Sequence, residues 1–376
     1  MPEMPSTRFR WLRSGKEAFP AMLSAIAAAR RTIRLEMYIY SSQPPGDAFR
    51  DALVRAAQRG VYVQVLLDAV GSFGLSAAFW KPLVDAGGQF RWFNPIKLGR
   101  IAYRDHRKLL VCDEELGFIG GFNIAPEYSG DGVEMGWCDL GLHIHGSLAS
   151  ELAEAFDVTF ARAGFDKPLQ RFRKTISRTT ISAENWRLLL SGPGRGYNFL
   201  KRTLATDLAN AHTAQIICAY FLPTWRLRRE LERVARRGGR VQLILAGKSD
   251  VRLSQLASHR LYRRFLRRGL EIYEYQPQVL HAKLFIVDEQ VYAGSSNLDA
   301  RSLNINYELL VRITERKIVE EAREIFDEVL ARSRRVEPRT WRRSRSLWVK
   351  LLEEWAYFLL ARVDPWWARQ SAKDLR

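Results

Sequence analysis

The stretch HRKLLVCDEELGFIGGFN at residues 106–123 recurs, with substitutions, as HAKLFIVDEQVYAGSSN at residues 281–297. Both stretches contain the pattern His-x-Lys-x4-Asp, followed by a turn of small residues and an asparagine. One such match can arise by chance, but two matches with the same sequel, 175 positions apart, indicate a duplicated unit. The sequence therefore predicts a chain built from two related halves.

The segments around the motifs repeat as well. Residues 25–68 and residues 207–247 both have the pattern of helix, strand, helix, strand, with strands that are almost wholly apolar. This alternation predicts an α/β fold of two pseudo-symmetric lobes, each a mixed β-sheet flanked by helices. We expect lobes at 1–163 and 186–333, a linker at 164–185 and an amphipathic helical tail at 334–376.

Composition limits the class of protein. The chain has 376 residues, of which 47% are hydrophobic, and 59 Lys and Arg against 41 Asp and Glu give a net charge of +18. Such a charge favours polyanionic partners, either nucleic acid or an acidic membrane. Three cysteines without a paired spacing indicate buried thiols in a reducing compartment. No apolar stretch approaches 18 residues, so we expect a cytosolic or peripheral protein without a membrane-spanning helix.

The motif residues have the spacing of a candidate active site. Residues two apart on a strand share a face, so His106 and Lys108 should point into the same space, as should His281 and Lys283. The motif aspartates complete the candidate catalytic set but lie on the opposite face by the same alternation, which favours a structural role: they are Asp113 and Asp288.

A catalytic imidazole needs a carboxylate that accepts its second N–H and fixes its tautomer. Asp139 lies 33 residues after His106, and Glu308 lies 27 residues after His281, each at the start of a later predicted strand. We expect each carboxylate to orient the histidine of its own copy. The alternative is that both are ordinary carboxylates at strand ends.

Two histidines and two lysines, joined by Asn123 and Asn297, would form a cationic pocket suited to a phosphodiester. A neutral histidine attacks phosphorus, the protonated one donates to the leaving alkoxide, and the lysines and asparagines stabilise charge on the equatorial oxygens. The side chains supply the positive charge, so we expect neither a metal nor a cofactor.

These residues resemble the phospholipase D superfamily, whose mark is this duplicated motif. RLEMYIY, RDHRKLLV, GGFN, AYFLP and DARSLNINYEL extend the resemblance to the bacterial cardiolipin synthases, over residues 9–332, and it is closest to the shorter type without N-terminal membrane spans. One departure is Gly121, where the family often has a serine, as Ser295 does here.

The resemblance implies a two-lobed fold with the site between the lobes and a phosphohistidine intermediate, with His106 as nucleophile and His281 as general acid. Near-symmetry leaves that order open. It also implies transfer of a phosphatidyl group from one phosphatidylglycerol to the hydroxyl of a second, which releases glycerol. The alternatives are a phosphodiesterase or nuclease of the same superfamily, and an inactive membrane-binding adaptor.

The pattern of the tail indicates a binding partner. Trp341, Trp348 and Trp355 recur every seven residues among cations, and Trp366 and Trp367 follow. A helix of this kind is typical of the surface of an anionic bilayer, although a helix packed on the protein's own core has the same spacing. We expect binding to phosphatidylglycerol and cardiolipin at the cytoplasmic face of a bacterial inner membrane, and no nucleic acid.

Overall fold

The computed structural model describes residues 7–95, 103–163, 180–192 and 199–364. The first lobe contains β1 (Arg8–Leu12), α1 (Gly15–Ala28), β2 (Thr32–Met37), α2 (Gly46–Gln58), β3 (Tyr62–Asp68), α3 (Lys81–Asp85), β4 (Gln89–Phe93), β5 (Leu109–Cys112), β6 (Leu116–Gly120), β7 (Gly141–His145) and α4 (Ser147–Ala163). Short 3₁₀ turns lie at Ala77–Trp80 and Pro126–Tyr128.

The second lobe begins within the predicted linker, because a short strand at its end joins the second sheet. Its elements are β8 (Thr180–Ser182), β9 (Trp186–Ser191), α5 (Phe199–Asn210), β10 (Thr213–Cys218), α6 (Trp225–Arg236), β11 (Arg240–Ala246), α7 (Arg252–Arg267), β12 (Glu271–Tyr275), β13 (Lys283–Val287), β14 (Gln290–Gly294), α8 (Ala300–Asn304), β15 (Glu308–Ile313), α9 (Arg316–Ala331) and β16 (Ser333–Arg335).

The two sheets repeat one topology. Among the described residues the first sheet has the order β1-β7-β6-β5-β2-β3-β4, and the second contains the same order in β9-β15-β14-β13-β10-β11-β12, with β8 and β16 added at its edges. In the order that the two sheets share, the last three strands are parallel to one another and the other neighbouring pairs are antiparallel. The predicted α/β fold of two lobes with mixed sheets is confirmed.

Helix α1 shows why these segments fold as they do. Its buried residues are Ala18, Phe19, Met22, Ala25 and Ile26, a spacing that gives a helix one apolar face. Strand β2 is instead buried along almost its whole length. That pattern is typical of a strand covered by helices on both faces of its sheet.

The lobes share a core. Buried side chains of both sheets, of α4 and of α9 form one hydrophobic cluster. The indole N–H of Trp11 in the first lobe donates to the carbonyl of Ile318 in the second at 3.3 Å. Each sheet has a further hydrophobic cluster on its outer side. That of the first sheet lies under α1 and α2, and that of the second lies under α5, α6 and α7. The lobes therefore meet across a packed apolar layer.

The tail packs on the second lobe through α10 (Pro338–Arg343) and α11 (Leu347–Phe358), followed by a π-helical turn at Leu359–Val363. Two helices replace the single predicted one, because Ser346 caps a new helix by accepting a hydrogen bond from the N–H of Val349. The seven-residue spacing of the tryptophans therefore does not place Trp341 on the face of the other two. Trp366 and Trp367 lie outside the described residues.

Trp341 packs inward, which corrects the prediction that it contacts the membrane. Its ring lies 5.0 Å from the ring of His259 and 4.7 Å from that of Tyr262, and the guanidinium of Arg345 covers it at 3.6 Å. Trp348 and Trp355 are 78% and 58% exposed. Among the helices that the structure describes, none is long and apolar enough to cross a bilayer.

Candidate active site

The motif histidines lie where the lobes meet. His106 lies three residues before the start of β5, and its backbone N–H donates to the carbonyl of Tyr307 at 3.0 Å. His281 precedes β13 and its N–H donates to the carbonyl of Cys138 at 2.7 Å. In each case the acceptor belongs to the other lobe. The backbone of both motifs is therefore fixed by contacts between the lobes.

The carboxylates orient the histidines crosswise. Nδ1 of His106 lies 3.0 Å from Oε1 of Glu308, and Nδ1 of His281 lies 2.6 Å from Oδ2 of Asp139. The expectation that each carboxylate pairs with the histidine of its own copy is wrong. Since the lobes face each other, the start of β15 lies opposite the start of β5, so each lobe supplies the carboxylate for the other's imidazole. Nε2 of each ring is the nitrogen not committed to a carboxylate.

The motif lysines are buried beside the histidines. Nζ of Lys108 donates to the carbonyl of His106 at 2.6 Å, and Nζ of Lys283 donates to the carbonyl of His281 at 2.5 Å. Nζ of Lys283 also lies 3.1 Å from Nε2 of His281. Each lysine therefore shares the site with its histidine, as the two-residue spacing predicted.

Burial and positive charge shift the titration of the four cationic groups. Desolvation, followed by the charges of Lys108 and Lys283, holds the pKa of His106 well below its usual range. Desolvation and Lys283 also lower the pKa of His281, but the charge and hydrogen bond of Asp139 oppose that shift. Burial lowers the pKa of Lys108 to about 7. The site thus lowers the pKa of both imidazoles and favours the neutral form more strongly at His106 than at His281.

The two carboxylates differ in charge state. Burial raises the pKa of Glu308 to about 7, against the opposing charges of Lys108 and Lys283. Burial also opposes ionisation of Asp139, but there the charges of His281 and Lys283 outweigh it and hold the pKa below its usual range. Asp139 is therefore a firm anion beside His281, whereas Glu308 titrates near neutral pH.

The asparagines hold loops instead of facing the pocket as expected. Oδ1 of Asn123 accepts from the N–H of Ile39 at 3.0 Å, and its Nδ2 donates to the hydroxyl of Tyr128 at 2.7 Å. Oδ1 of Asn297 accepts from the N–H of Tyr220 at 3.4 Å. In the first lobe this contact joins the turn after β6 to the loop after β2, and in the second it joins the turn after β14 to the loop after β10. The asparagines therefore position neighbours of the histidines.

The motif aspartates do not reach the histidines, which corrects their place in the candidate catalytic set. Asp113 accepts hydrogen bonds from the backbone N–H groups of Arg30, Arg31 and Thr32, at the start of β2. Asp288 accepts equivalent bonds from residues 212 and 213, at the start of β10. Both have a positive φ in the turn of a hairpin. They fix that hairpin to the neighbouring strand, as the strand alternation predicted.

Gly121 and Ser295 occupy equivalent places with different chemistry. The hydroxyl of Ser295 donates to Oε2 of Glu308 at 2.5 Å. A Cβ atom added at Gly121 would lie 2.0 Å from Oδ1 of Asp139. The shorter carboxylate occupies the space that a serine side chain would need, which explains the glycine in the first copy.

Aromatic rings surround the histidines, a feature that the motif spacing does not predict. The ring centroid of Tyr38 lies 4.8 Å from that of His106, and those of Tyr128 and Trp137 lie 5.3 Å and 5.5 Å from that of His281. The hydroxyl of Tyr220 donates to Asp250 at 2.6 Å. The available signal was the position of Tyr38 and Tyr220 just after β2 and β10, the strands beside the motif strands.

Two lobes of one topology, each with a His-x-Lys motif at their contact, define the class of phospholipase D-like proteins. Residues 22–158 and 204–330 match the family model described as cardiolipin synthase, PLD-like domain. The chain belongs to this family.

Curated relatives agree with that assignment, and a solved structure shows the same fold. Cardiolipin synthase 1 of Bacillus cereus is 31% identical over 369 residues, which cover 94% of this chain and 72% of that protein. Cardiolipin synthase B of Salmonella typhimurium is 33% identical over 316 residues, which cover 81% and 76%. The crystal structure of phosphatidylserine synthase from Haemophilus influenzae has the same fold, with a TM-score of 0.76 over 96% of this chain and 94% of that one at 16% identity.

Proposed function

We propose that this protein is a cardiolipin synthase, a phosphatidyltransferase that joins two phosphatidylglycerols and releases glycerol. The observation that carries the proposal is the crosswise pairing of two buried imidazoles with carboxylates of the opposite lobe. It leaves two Nε2 atoms for chemistry beside two buried ammonium groups. The identity to cardiolipin synthases over most of the chain supports the choice of substrates.

In the first step, Nε2 of neutral His106 attacks the phosphorus of a phosphatidylglycerol. The N–P bond forms, the bond from phosphorus to the glycerol oxygen breaks, and protonated His281 gives its proton to that oxygen. Glycerol leaves and the phosphatidyl group stays on His106. The ammonium groups of Lys108 and Lys283 stabilise the charge that develops on the phosphoryl oxygens.

In the second step, the hydroxyl of a second phosphatidylglycerol attacks the same phosphorus. His281, now neutral, takes the hydroxyl proton as the O–P bond forms and the N–P bond to His106 breaks. The product is cardiolipin, and both histidines return to their starting protonation states. His281 serves as acid and then as base, as reversible proton transfer at one site requires.

The charge states of the carboxylates support this division of roles. An imidazolium is stabilised beside a firm anion, and Asp139 supplies one to His281. His106 is paired with Glu308, which titrates near neutral pH, and its own pKa is the more strongly lowered. A neutral nucleophile at His106 and a proton donor at His281 follow from this difference.

Transfer requires that the acceptor hydroxyl outcompete water at the phosphohistidine. The site groups are nearly closed to solvent: His106 is 9% exposed, His281 4%, Lys108 3% and Lys283 1%. A site that excludes water favours a lipid acceptor over hydrolysis. Because both proposed substrates are bilayer lipids, we place the reaction at a membrane surface, on the cytoplasmic face of the inner membrane.

The purified chain should convert phosphatidylglycerol vesicles into cardiolipin and glycerol in equal amounts, measured by mass spectrometry. His106→Ala and His281→Ala should each abolish both products. His212→Ala is the matched control, because that histidine side chain is 91% exposed, and it should keep the wild-type rate.

Two outcomes would contradict the proposal. Phosphatidic acid and glycerol without cardiolipin would make the chain a phospholipase D. Cleavage of nucleic acid, with phosphatidylglycerol left unchanged, would make it a nuclease of the same superfamily.

A further inference from the structure

The exposed side of α11 is an apolar face on a helix that is otherwise firmly packed. At 100° per residue, its exposed apolar side chains fall within an arc of about 140°, and each is at least 52% exposed: they are Leu347, Trp348, Leu351, Leu352, Trp355 and Phe358. We call these six residues the outer face. A contiguous apolar patch of this kind marks an interaction surface.

The opposite side of α11 is held against the second lobe. Glu353 and Ala356 are buried, and Arg345 lies 3.3 Å from the Glu353 carboxylate. Arg260 of α7 forms an ion pair with Glu354, and Arg228 of α6 donates to the hydroxyl of Tyr357 at 2.9 Å. The outer face therefore points away from the protein on a fixed support.

A cationic cavity lies beside the outer face, between α7, α10 and α11, with a volume of about 580 Å³. Its two glutamates, Glu353 and Glu354, are each paired with an arginine. Five further cations line it, and none of them has an ion pair within the part of the chain that the structure describes: they are Arg263, Arg267, Arg339, Arg342 and Lys350. We call these residues the basic cavity. Five exposed, unneutralised cations around one concavity form a binding site for an anion.

We propose that the outer face and the basic cavity together form an anionic-lipid site, separate from the histidines. The six apolar side chains enter the interfacial region of a bilayer, and the basic cavity binds the phosphate of an anionic phospholipid in the same leaflet. The inference concerns binding alone and does not require the proposed reaction.

The chemistry of the outer face and the basic cavity favours an anionic bilayer over other partners. A nucleic acid would use the cations but leave six large apolar side chains in water, at a cost that grows with their area. A second copy of the chain would bring the basic cavity against its own positive charge. An anionic bilayer satisfies both features, because apolar side chains reach its acyl boundary while cations remain at its phosphates.

Sedimentation of the full chain with vesicles, at physiological salt, tests the proposal. The vesicles contain phosphatidylcholine alone or phosphatidylcholine with phosphatidylserine, which is neither substrate nor product of the proposed reaction. The outer-face variant combines Trp348→Ala, Leu351→Ala and Trp355→Ala. The basic-cavity variant combines Arg263→Gln, Arg267→Gln and Arg342→Gln. The control combines Arg10→Gln, Arg30→Gln and Arg55→Gln, which removes the same charge from exposed positions of the first lobe.

The outer-face variant should bind both kinds of vesicle at least tenfold more weakly. The basic-cavity variant should lose about 100-fold in affinity for the anionic vesicles alone, because each cation near such a surface contributes roughly a factor of five. The control should lose less than threefold. Equal losses in the control and the basic-cavity variant would mean diffuse attraction by net charge and would overturn the site.

A second measurement does not depend on the triple variants folding. Leu352→Cys carrying an environment-sensitive dye should shift its emission to the blue on anionic vesicles, and an unchanged spectrum would overturn insertion of the outer face. Tighter binding of duplex DNA than of anionic vesicles, lost in the same variants, would assign the surface to nucleic acid and overturn the proposal.

Discussion

The two half-sites have the same backbone but differ in what lies beneath the motif histidine. In the first lobe five buried side chains around the motif are charged: Glu36, Asp68, Arg104, Asp105 and Arg107. Strand register and the motif alignment place apolar residues at the equivalent positions of the second lobe: Ile217, Ala246, Val279, Leu280 and Ala282. One half-site rests on a charged network, and the other rests on the hydrophobic core.

The two half-sites therefore differ in how far they depend on electrostatics. Buried charges cost desolvation free energy and add little to stability. Burial, reinforced by Asp105, raises the pKa of Glu36 well above its usual range. The negative charge of Asp105 in turn favours the charged form of Lys108. We infer that the network tunes the half-site of the proposed nucleophile, whereas the half-site of the proposed acid rests on packed apolar residues.

The histidines themselves should give the largest effects. His106→Ala and His281→Ala should each lower turnover of phosphatidylglycerol by more than about 10⁴-fold, because nucleophile and acid act in one step. A phosphatidyl donor whose leaving group departs without protonation distinguishes the roles of the two histidines. With such a donor, His281→Ala should release the leaving group in a burst, and His106→Ala should not. Bursts from both variants would contradict the assigned roles.

The orienting carboxylates should give the next largest effects, and unequal ones. Asp139→Asn should cost about 100-fold, since it removes the negative charge that strengthens the hydrogen bond to His281, and Glu308→Gln about tenfold. Asp139 raises the pKa of His281, so its loss lowers that pKa. The proton donor then disappears at lower pH, and the alkaline limb of kcat/KM against pH moves to lower pH.

Glu308→Gln should leave that alkaline limb nearer its wild-type position, because Glu308 is paired with the other histidine. Both pH profiles can be measured with the same lipid assay. A larger alkaline shift in Glu308→Gln than in Asp139→Asn would reverse the roles of the two pairs.

Gly121 and Ser295 also make the two half-sites unequal. Gly121→Ser should cost about tenfold in kcat, because its Cβ would displace Asp139 and with it His281. Ser295→Ala removes one hydrogen bond to Glu308 and should cost about fivefold. Steady-state kinetics of both variants measure this difference. A Gly121→Ser variant with wild-type kcat would show that Asp139 does not need its present position.

The buried network should affect stability more than turnover. Arg107→Ala alone leaves Glu36 and Asp105 without their cation and should lower the free energy of unfolding by about 3 kcal/mol. A triple variant that combines Arg107→Ala with Glu36→Ile and Asp105→Leu replaces the three charged residues by their second-lobe counterparts. It should recover most of the lost free energy of unfolding. Urea unfolding compares the two variants, and a triple variant less stable than Arg107→Ala would contradict this account of the network.

The sequence predicted the fold well because duplication is written directly into it. The motif repeats and the alternating helices and strands anticipated two mixed sheets, and strand alternation separated His106 and Lys108 from Asp113. The crosswise pairing of histidines and carboxylates could not be predicted, because spacing along the chain does not show which strand of one lobe faces the motif of the other. The inward packing of Trp341 could not be predicted, because the seven-residue spacing of the tryptophans spans two helices and the break between them.

A trapped covalent intermediate would show which histidine attacks phosphorus. The chain is mixed with phosphatidylglycerol labelled at phosphorus, quenched rapidly and mapped by mass spectrometry under conditions that preserve phosphohistidine. We predict label on His106 in the wild type and none in His106→Ala. Label on His281, or none on any histidine during active turnover, would contradict the account.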